Sequence, residues 1–316
     1  MTTLTPLEQE LGRWVALGIV TEDQAAQIRA VESGAPLEAP VPEPGPSLVG
    51  EALGYVGGAL VVVASLLLVG RFWDELGDGV RLALVGSAAA LLVGVGLAVP
   101  AVPGTAGARL RSAVWALSTG AWTGFLALLL FDVLDWGDER ATFTMLALGT
   151  VQAAVLWSAA RAPLQQVVLF VGLCATSAWG VVLATPDDST WGALAGVAVV
   201  AVSAAWIRLG AAGSLRPREL TEVLGALGAV IGAVITQASE DWGRVVAVLV
   251  VAGVIALAVR LNRLPLLAVA TLGLFLVVPN TIDAWFPGDV AAPLALLVSG
   301  AALVLLALRA VRRKGS

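Results

Sequence analysis

The side chains of this sequence that could do chemistry are few, and nearly all lie close to long apolar segments. The 316 residues include no histidine, and Cys174 is the single cysteine. This composition excludes histidine-based acid–base catalysis, a Ser-His-Asp triad, a His/Cys zinc site and an internal disulfide. The sequence also lacks a glycine-rich phosphate loop and a basic, aromatic nucleic-acid surface. We therefore expect no enzyme activity, no cofactor and no nucleic-acid partner.

Two carboxylates, Glu51 and Glu222, lie about one helical turn inside apolar segments. Ionisable residues within a membrane are costly and commonly mark ion or proton pathways. We expect both to reach the nearby polar interface, where Glu51 could pair with an arginine. A coupling role for these carboxylates in transport is the alternative.

A second candidate set consists of polar side chains near the middle of three consecutive apolar segments: Trp122, Gln152 and Thr176. Amide and indole groups need hydrogen-bond partners in hydrocarbon. Hydrogen bonds between helices would satisfy them without a ligand, which is the simpler interpretation. The alternative is a pocket for a neutral substrate between these segments. Cys174, in the third segment, is expected to be a small packing residue.

The third candidate set recurs at every second connection, where a tryptophan lies near a carboxylate. Its members are Trp73 with Asp74, Trp136 with Asp138, Trp191 with Asp188, Trp242 with Asp241, and Trp285 with Asp283. Tryptophan is enriched at membrane–water interfaces, so an aromatic belt is the simpler interpretation. The alternative is that these turns converge as a surface that binds a cation or a partner.

The elements that must position these residues are long apolar helices. The chain is 59% hydrophobic and 13% charged, with a mean hydropathy of +0.92, whereas soluble domains carry about 25% charged residues. Because about 20 apolar residues in a helix span a bilayer, we predict an all-α, polytopic transmembrane helix bundle. Its ten spans are 48–70, 82–99, 112–131, 141–160, 166–184, 191–207, 220–238, 244–259, 265–279 and 290–309. The eighth and ninth are short, and each could be extended by a turn into its flanks. Pro265 and Pro279 bracket the ninth.

Glycines four residues apart suggest how some of these spans pack. They are Gly50, Gly54 and Gly58 in the first span, Gly192 and Gly196 in the sixth, and Gly228 and Gly232 in the seventh. Small residues at this spacing let helix backbones approach closely. The alternative is that glycine is simply common in these helices.

Charge alternates from one connection to the next, with arginine on one side and Asp or Glu on the other. Because arginine and lysine accumulate in cytoplasmic loops, we expect both termini to be cytoplasmic, which requires an even number of spans. The only lysine is Lys314, and this reliance on arginine, with abundant Ala, Val and Gly, suggests a bacterial source. The expected location is therefore the bacterial cytoplasmic membrane.

The first 47 residues have a different pattern. Apolar residues at helical spacing and a Thr21-Glu-Asp-Gln24 capping box predict two short helices. The expected inward residues are Leu7, Leu11, Trp14 and Val15 in the first helix and Ala25, Ile28 and Val31 in the second. We predict a cytosolic helical hairpin over 1–33, a Pro-rich linker over 34–47, the membrane domain over 48–309 and a basic cytosolic tail over 310–316.

The segment Leu11-Gly-Arg-Trp-Val-Ala-Leu-Gly-Ile-Val-Thr-Glu-Asp-Gln-Ala-Ala-Gln-Ile28 resembles the opening of an uncharacterised family of prokaryotic membrane proteins, domain of unknown function 2157. That family pairs such a hairpin with a Gly-rich first span that ends in an aromatic-Trp-Asp turn. Gly54-Tyr-Val-Gly-Gly-Ala-Leu60 and Phe72-Trp73-Asp74 match this pattern, although Arg71-Phe72 replaces the expected small residue and Asn. The resemblance implies a membrane location and no known activity, and it assigns no site residues.

Two functions are compatible with these features. The first is a non-enzymatic scaffold or sensor whose hairpin, residues 6–33, binds a cytosolic protein. The second is a small-molecule carrier, because ten spans with both ends inside is also the plan of drug/metabolite exporters. The lipid bilayer is a partner in either case, and the sequence predicts no oligomeric state.

Overall fold

A computed structural model describes residues 6–17, 20–32, 70–100, 106–185, 190–238 and 241–285, together with single positions and pairs within 56–67 and at 297 and 300. Every element of regular structure in these residues is helical. The chain divides into two units, residues 1–74 and residues 75–316. The first and tenth predicted spans lie largely outside the described residues, although the described positions of the first, such as Val56 and Leu67, are helical.

The first unit contains the predicted hairpin, formed by α1 (Pro6–Ala16) and α2 (Glu22–Glu32). The backbone N–H of Thr21 donates to Gln24 Oε1 at 2.9 Å, and that of Gln24 donates to Thr21 Oγ1 at 3.2 Å, which confirms the capping box. Leu11 and Ala25 are fully buried. The expectation that Val31 points inward is wrong, because 56% of Val31 is exposed.

The second unit contains eight helices that are long and apolar enough to cross a membrane. They are α3 (Asp78–Ala98), α4 (Ala106–Ala127), α5 (Asp138–Ala159), α6 (Pro163–Ala184), α7 (Trp191–Ala211), α8 (Arg218–Gln237), α9 (Asp241–Leu261) and α10 (Leu264–Trp285). A π-helical turn, Leu128–Val133, continues α4. These helices match the second to ninth predicted spans.

The helix ends divide into two groups by charge. The basic end consists of the connections 98–106, 159–163, 211–218 and 261–264 with the adjoining helix turns, and it carries most of the arginines of this unit. The acidic end consists of the connections 133–138, 184–191, 237–241 and residues 283–285 with their adjoining turns. The charge alternation predicted from sequence is thus a separation between the two ends of the helices.

The eight helices form an open row of hairpins. Each helix packs on the next along the chain, and α4, α6, α8 and α10 also pack on one another in that order. We call these four helices the central row; α5, α7 and α9 each pack against two of its members. Within the described helices, no substantial interface joins the α3–α4 hairpin to the α9–α10 hairpin, so this part of the chain does not close around a central cavity.

Helix α8 is the most enclosed member of the row because small residues let its neighbours approach. In an 18-residue apolar window of each candidate span, 61% of the residues of α8 are buried, against 39% or less for the other seven helices. A Cβ atom added to Gly232 would lie 2.8 Å from the carbonyl oxygen of Gly196 on α7. Gly196 and Gly232, one glycine from each predicted pair, therefore meet at a backbone contact, whereas Gly50, Gly54 and Gly58 lie outside the described residues.

The prediction that Pro279 ends the ninth span is wrong, since α10 continues through it to Trp285. Proline removes one backbone donor and usually breaks a helix in water. Membrane helices tolerate proline when nearby groups satisfy the backbone. Beside Pro279, Asn280 Nδ2 donates to the Leu276 carbonyl at 3.0 Å and Thr281 Oγ1 donates to the Val277 carbonyl at 2.8 Å; the carbonyl that the proline leaves without its helical N–H donor is that of Phe275.

Candidate functional site

A buried polar network joins members of the central row at the basic end. On α6, Gln165 Nε2 donates to the Ser112 carbonyl of α4 at 2.8 Å. The adjacent Gln166 Nε2 donates to Thr221 Oγ1 of α8 at 2.6 Å, and Thr221 Oγ1 in turn donates to the Pro217 carbonyl at 3.0 Å. Both glutamines are fully buried. Two neighbouring side chains on one helix thus connect it to both adjacent members of the row.

Glu222 extends this network to α10. Its carboxylate is only 1% exposed; Arg218 Nε donates to Oε1 at 2.7 Å, and Arg263 Nη1 lies 2.8 Å from Oε2. The second contact is an ion pair without the alignment of a hydrogen bond. Asn262, in the left-handed conformation with φ of 52°, turns the chain between α9 and α10 directly before Arg263.

The expectation that Glu222 reaches the polar interface is therefore wrong. The close packing of α8 holds this carboxylate inside the protein, and two arginines approach it there. Burial of a charge is tolerated when it is paired and hydrogen-bonded. The other predicted coupling carboxylate, Glu51, lies outside the described residues.

The network is not fully satisfied. The side-chain carbonyl oxygens of Gln165 and Gln166 and the hydroxyl of Ser112 are buried with no hydrogen-bond partner in the described part of the chain. An unsatisfied buried polar group costs about 1–3 kcal/mol. The glutamines therefore hold the helices together at an energetic cost, and each could accept a further hydrogen bond.

Indole rings anchor two further arginines at this end. The Arg111 guanidinium lies 4.1 Å from the ring centroid of Trp115, and that of Arg161 lies 5.5 Å from the ring of Trp157. Trp115 is fully buried and donates from Nε1 to the Val93 carbonyl of α3 at 3.3 Å. Cation–π contacts of this kind fix the direction of arginine side chains.

The polar residues predicted at mid-membrane divide between two grooves. Trp122 and Gln152 line a groove of about 540 Å³ between α3, α4 and α5. Gln152 Nε2 donates to Ser118 Oγ at 3.2 Å, and Ser118 Oγ donates to the Ala89 carbonyl at 3.2 Å. A hydrogen bond between helices therefore satisfies the amide nitrogen of Gln152, as the simpler interpretation predicts, but its Oε1 is buried without a partner among the described residues.

Thr176 does not join Trp122 and Gln152. Its hydroxyl lies 2.9 Å from that of Thr150, between α6 and α5. Thr150 lines a different groove of about 480 Å³, between α4, α5 and α6. The two grooves found in the described helices do not bring all three residues together, and a substrate-binding role for Trp122 and Gln152 stays a prediction.

At the acidic end, most of the predicted Trp/acid turns face outwards separately. Trp191, Trp242 and Trp285 are each between 41% and 47% exposed. Asp241 forms an ion pair with Arg244 in its own helix, and Asp283 is exposed. This arrangement is typical of an interfacial belt.

The remaining predicted Trp/acid residues do not belong to these turns of the second unit. Trp73 and Asp74 lie in a short 3-10 turn assigned to the first unit. Asp188 lies outside the described residues.

One cavity brings residues of two Trp/acid turns together. We call it the acidic-end cleft, and its volume is about 440 Å³. Its polar and aromatic lining residues are Asp138 and Glu139 of α5, Trp179 of α6 and Trp191 of α7. The rest of its wall consists of Ile235 of α8 together with Ala178, Val182, Thr185 and Ala195. Sequence reasoning missed Trp179. Its position about a turn and a half from the end of α6 was a usable signal, because tryptophan concentrates near membrane interfaces.

Trp136 does not line this cleft. It packs against Leu126, Leu130 and Ala141, and the Arg140 guanidinium lies 4.3 Å from its ring centroid. A metal centre is not indicated either, since no group of three His, Cys, Asp or Glu residues lies close enough in the described ranges.

Comparison with known proteins supports the membrane assignment. The family model described as a predicted membrane protein, DUF2157, matches residues 12–156. No curated protein and no solved structure matches the chain. Over residues 12–156 the chain therefore matches the predicted membrane proteins of DUF2157, the family that its N-terminal motifs resemble.

Proposed function

We propose that this protein is a non-enzymatic membrane scaffold or sensor whose N-terminal hairpin binds a cytosolic protein. The supporting observation is the incomplete burial of the hairpin's apolar side chains. Leu11 and Ala25 are covered, but Leu17 is 63% exposed and Val31 is 56% exposed. Two helices of 11 residues each bury too little surface to be stable in isolation. A partner that covers Leu17 and Val31 would supply the missing contacts.

The separation of charge between the two ends of the second unit supports a cytoplasmic location for the hairpin. The arginines concentrate at the basic end, and arginine-rich connections stay in the cytoplasm. With the ten spans predicted from sequence, both termini would lie on that side. We propose the bacterial cytoplasmic membrane as the location.

Site-specific photocrosslinking tests the proposal. A photoreactive amino acid at Leu17 or Val31 of the full-length protein should form an adduct with one and the same cytosolic protein. Gln27, exposed on α2, is the matched control position and should give little adduct. Leu17→Ser combined with a crosslinker at Val31 should reduce the adduct about tenfold, because burying one Leu contributes about 1.5–3 kcal/mol. Equal crosslinking at all three positions, or adducts with lipid alone, would contradict the proposal.

A small-molecule carrier is the second candidate, and the shared groove of Trp122 and Gln152 favours it. If this groove binds substrate, cells that contain the protein should export some members of a panel of lipophilic molecules, measured as efflux from loaded cells. Trp122→Ala should abolish the efflux of those molecules. Val259→Ala, at an exposed position on α9 outside both grooves, is the control and should change efflux little. The open row of described helices favours the scaffold, because carriers bind substrate between two halves of the protein.

A further inference from the structure

We propose that the acidic-end cleft binds a small organic cation, of the quaternary or protonated tertiary alkylammonium class. This site is independent of the hairpin and of its proposed partner. Its size, about 440 Å³, lies within the range of about 300–1,000 Å³ that is usual for small-molecule sites.

Two indoles form the aromatic part of the cleft. Trp179 is half-buried on α6, and Trp191 begins α7 with about half of its surface exposed. Tryptophan is the aromatic side chain that attracts cations most strongly, and cages of such rings are used to bind quaternary ammonium groups. The two residues come from consecutive helices, and both contribute to the lining of the cleft.

Two carboxylates give the cleft its charge. Asp138 and Glu139 lie in the first turn of α5, where acidic residues also stabilise the helix dipole. The dipole alone does not explain why both carboxylates line the same cavity as the two indoles. In the described residues neither carboxylate has an arginine at ion-pair distance. Asp241, by contrast, is paired with Arg244.

The rest of the wall selects the type of cation. Val182, Ala195 and Ile235 contribute apolar surface, which suits alkyl substituents. The Thr185 hydroxyl already donates to the Val181 carbonyl at 2.9 Å. Calcium and magnesium need six or more oxygen ligands, including water, and indoles and aliphatic groups supply none. The lining therefore fits an alkylated ammonium better than a metal ion.

Isothermal titration calorimetry of the full-length protein, in a maltoside detergent free of choline lipids, tests this inference with choline. The uncharged isostere 3,3-dimethyl-1-butanol is the control ligand. We expect choline to bind and the isostere to bind at least about tenfold more weakly, since it lacks the charge that the indoles and carboxylates attract. Absence of choline binding, or equal affinity for the two ligands, would overturn the inference.

Variants locate the bound cation. Trp191→Leu and the double variant Asp138→Asn with Glu139→Gln should each weaken choline binding about tenfold. Trp242→Leu and Asp241→Asn, at another turn of the acidic end and outside the cleft, are the matched controls and should bind normally. Trp191 and both carboxylates are exposed, so the fold should be retained, as helical circular dichroism can show. Normal binding by the cleft variants, or equal weakening in the controls, would show that choline binds elsewhere and would overturn the proposed site.

Discussion

The basic end and the acidic end of the second unit, residues 75–316, use their polar residues in opposite ways. At the basic end, arginines contact Glu222 or lie over indoles, and two glutamines join three helices of the central row. At the acidic end, carboxylates and tryptophans are largely exposed, and the cleft opens between four helices. At the basic end these polar groups hold the fold. At the acidic end Asp241 pairs with Arg244 and Arg140 lies over Trp136, whereas the exposed Asp138, Glu139 and Trp191 are left to contact solvent or a ligand.

This contrast shows why the sign of a charge alone does not identify a functional site. Glu222 is the most buried carboxylate described, yet its two arginines give it a structural role. Asp138 and Glu139 are exposed, yet they share a cavity with two indoles. What each carboxylate touches, rather than its depth, separates the fold-supporting group from the candidate ligand-binding groups.

The largest expected effect comes from the glycine contact between α7 and α8, which holds these helices together independently of the polar network. In Gly196→Ala the new methyl group would collide with Thr236 and lie 2.6 Å from the Gly232 carbonyl oxygen. The backbones must separate, so we expect a loss of about 3 kcal/mol in the free energy of unfolding, measured by SDS titration in mixed micelles. Gly253→Ala, where nothing lies within 4 Å, should be neutral or stabilise by up to about 1 kcal/mol. An equal change in the free energy of unfolding for the two variants would show that α7 and α8 are not in close backbone contact at Gly196.

The next effect concerns the ion-paired carboxylate of the basic end. Glu222→Ala should destabilise the protein by about 2–3 kcal/mol, since it removes two charge contacts and leaves a void in a buried site. Glu219→Ala, three residues earlier and exposed, should change the free energy of unfolding by less than about 0.5 kcal/mol. The same SDS titration measures both. Equal, small effects would mean that Glu222 does not hold α8 and α10 together.

A smaller effect is expected for Gln166→Leu. The substitution removes the hydrogen bond to Thr221, worth about 1 kcal/mol, but it also removes a buried carbonyl oxygen that has no partner in the described residues. We therefore expect a net change within about 1 kcal/mol. A loss above about 3 kcal/mol would indicate that this oxygen binds a further group, and that the basic end does more than hold helices.

The smallest stability effect should come from the cleft. Asp138→Asn with Glu139→Gln should change the free energy of unfolding by less than about 0.5 kcal/mol, because both side chains are exposed and unpaired in the described structure. A large loss of stability would place these carboxylates among the groups that hold the fold, and the contrast between the two ends would fail.

Hydropathy was enough to predict the eight described spans, because a helix that crosses a membrane needs a long apolar segment whatever its neighbours are. The helix hairpin and its capping box were also predictable, since both depend on residues close in sequence. Hydrogen bonds and ion pairs between helices could not be predicted from hydropathy or from residues close in sequence. Whether Glu222 reaches water, and whether Thr176 joins Trp122, depends on how helices pack side by side.

The acidic-end cleft was only partly predictable. Trp136, Trp191, Asp138 and their counterparts were identified as a set, but sequence did not indicate which turns are neighbours. The structure combines Asp138 with Trp191, excludes Trp136 and adds Trp179. Helices α5 to α8 meet at this point because of packing between residues far apart in the chain.

Cysteine accessibility tests most directly whether the two ends face different aqueous phases. In a Cys174→Ala background, Glu139→Cys marks the acidic end and Ser214→Cys marks the basic end, both at exposed positions. A membrane-impermeant maleimide should label the Glu139→Cys protein in intact spheroplasts and the Ser214→Cys protein only after the membrane is opened. Labelling of both from outside, or of Ser214→Cys alone, would contradict the account.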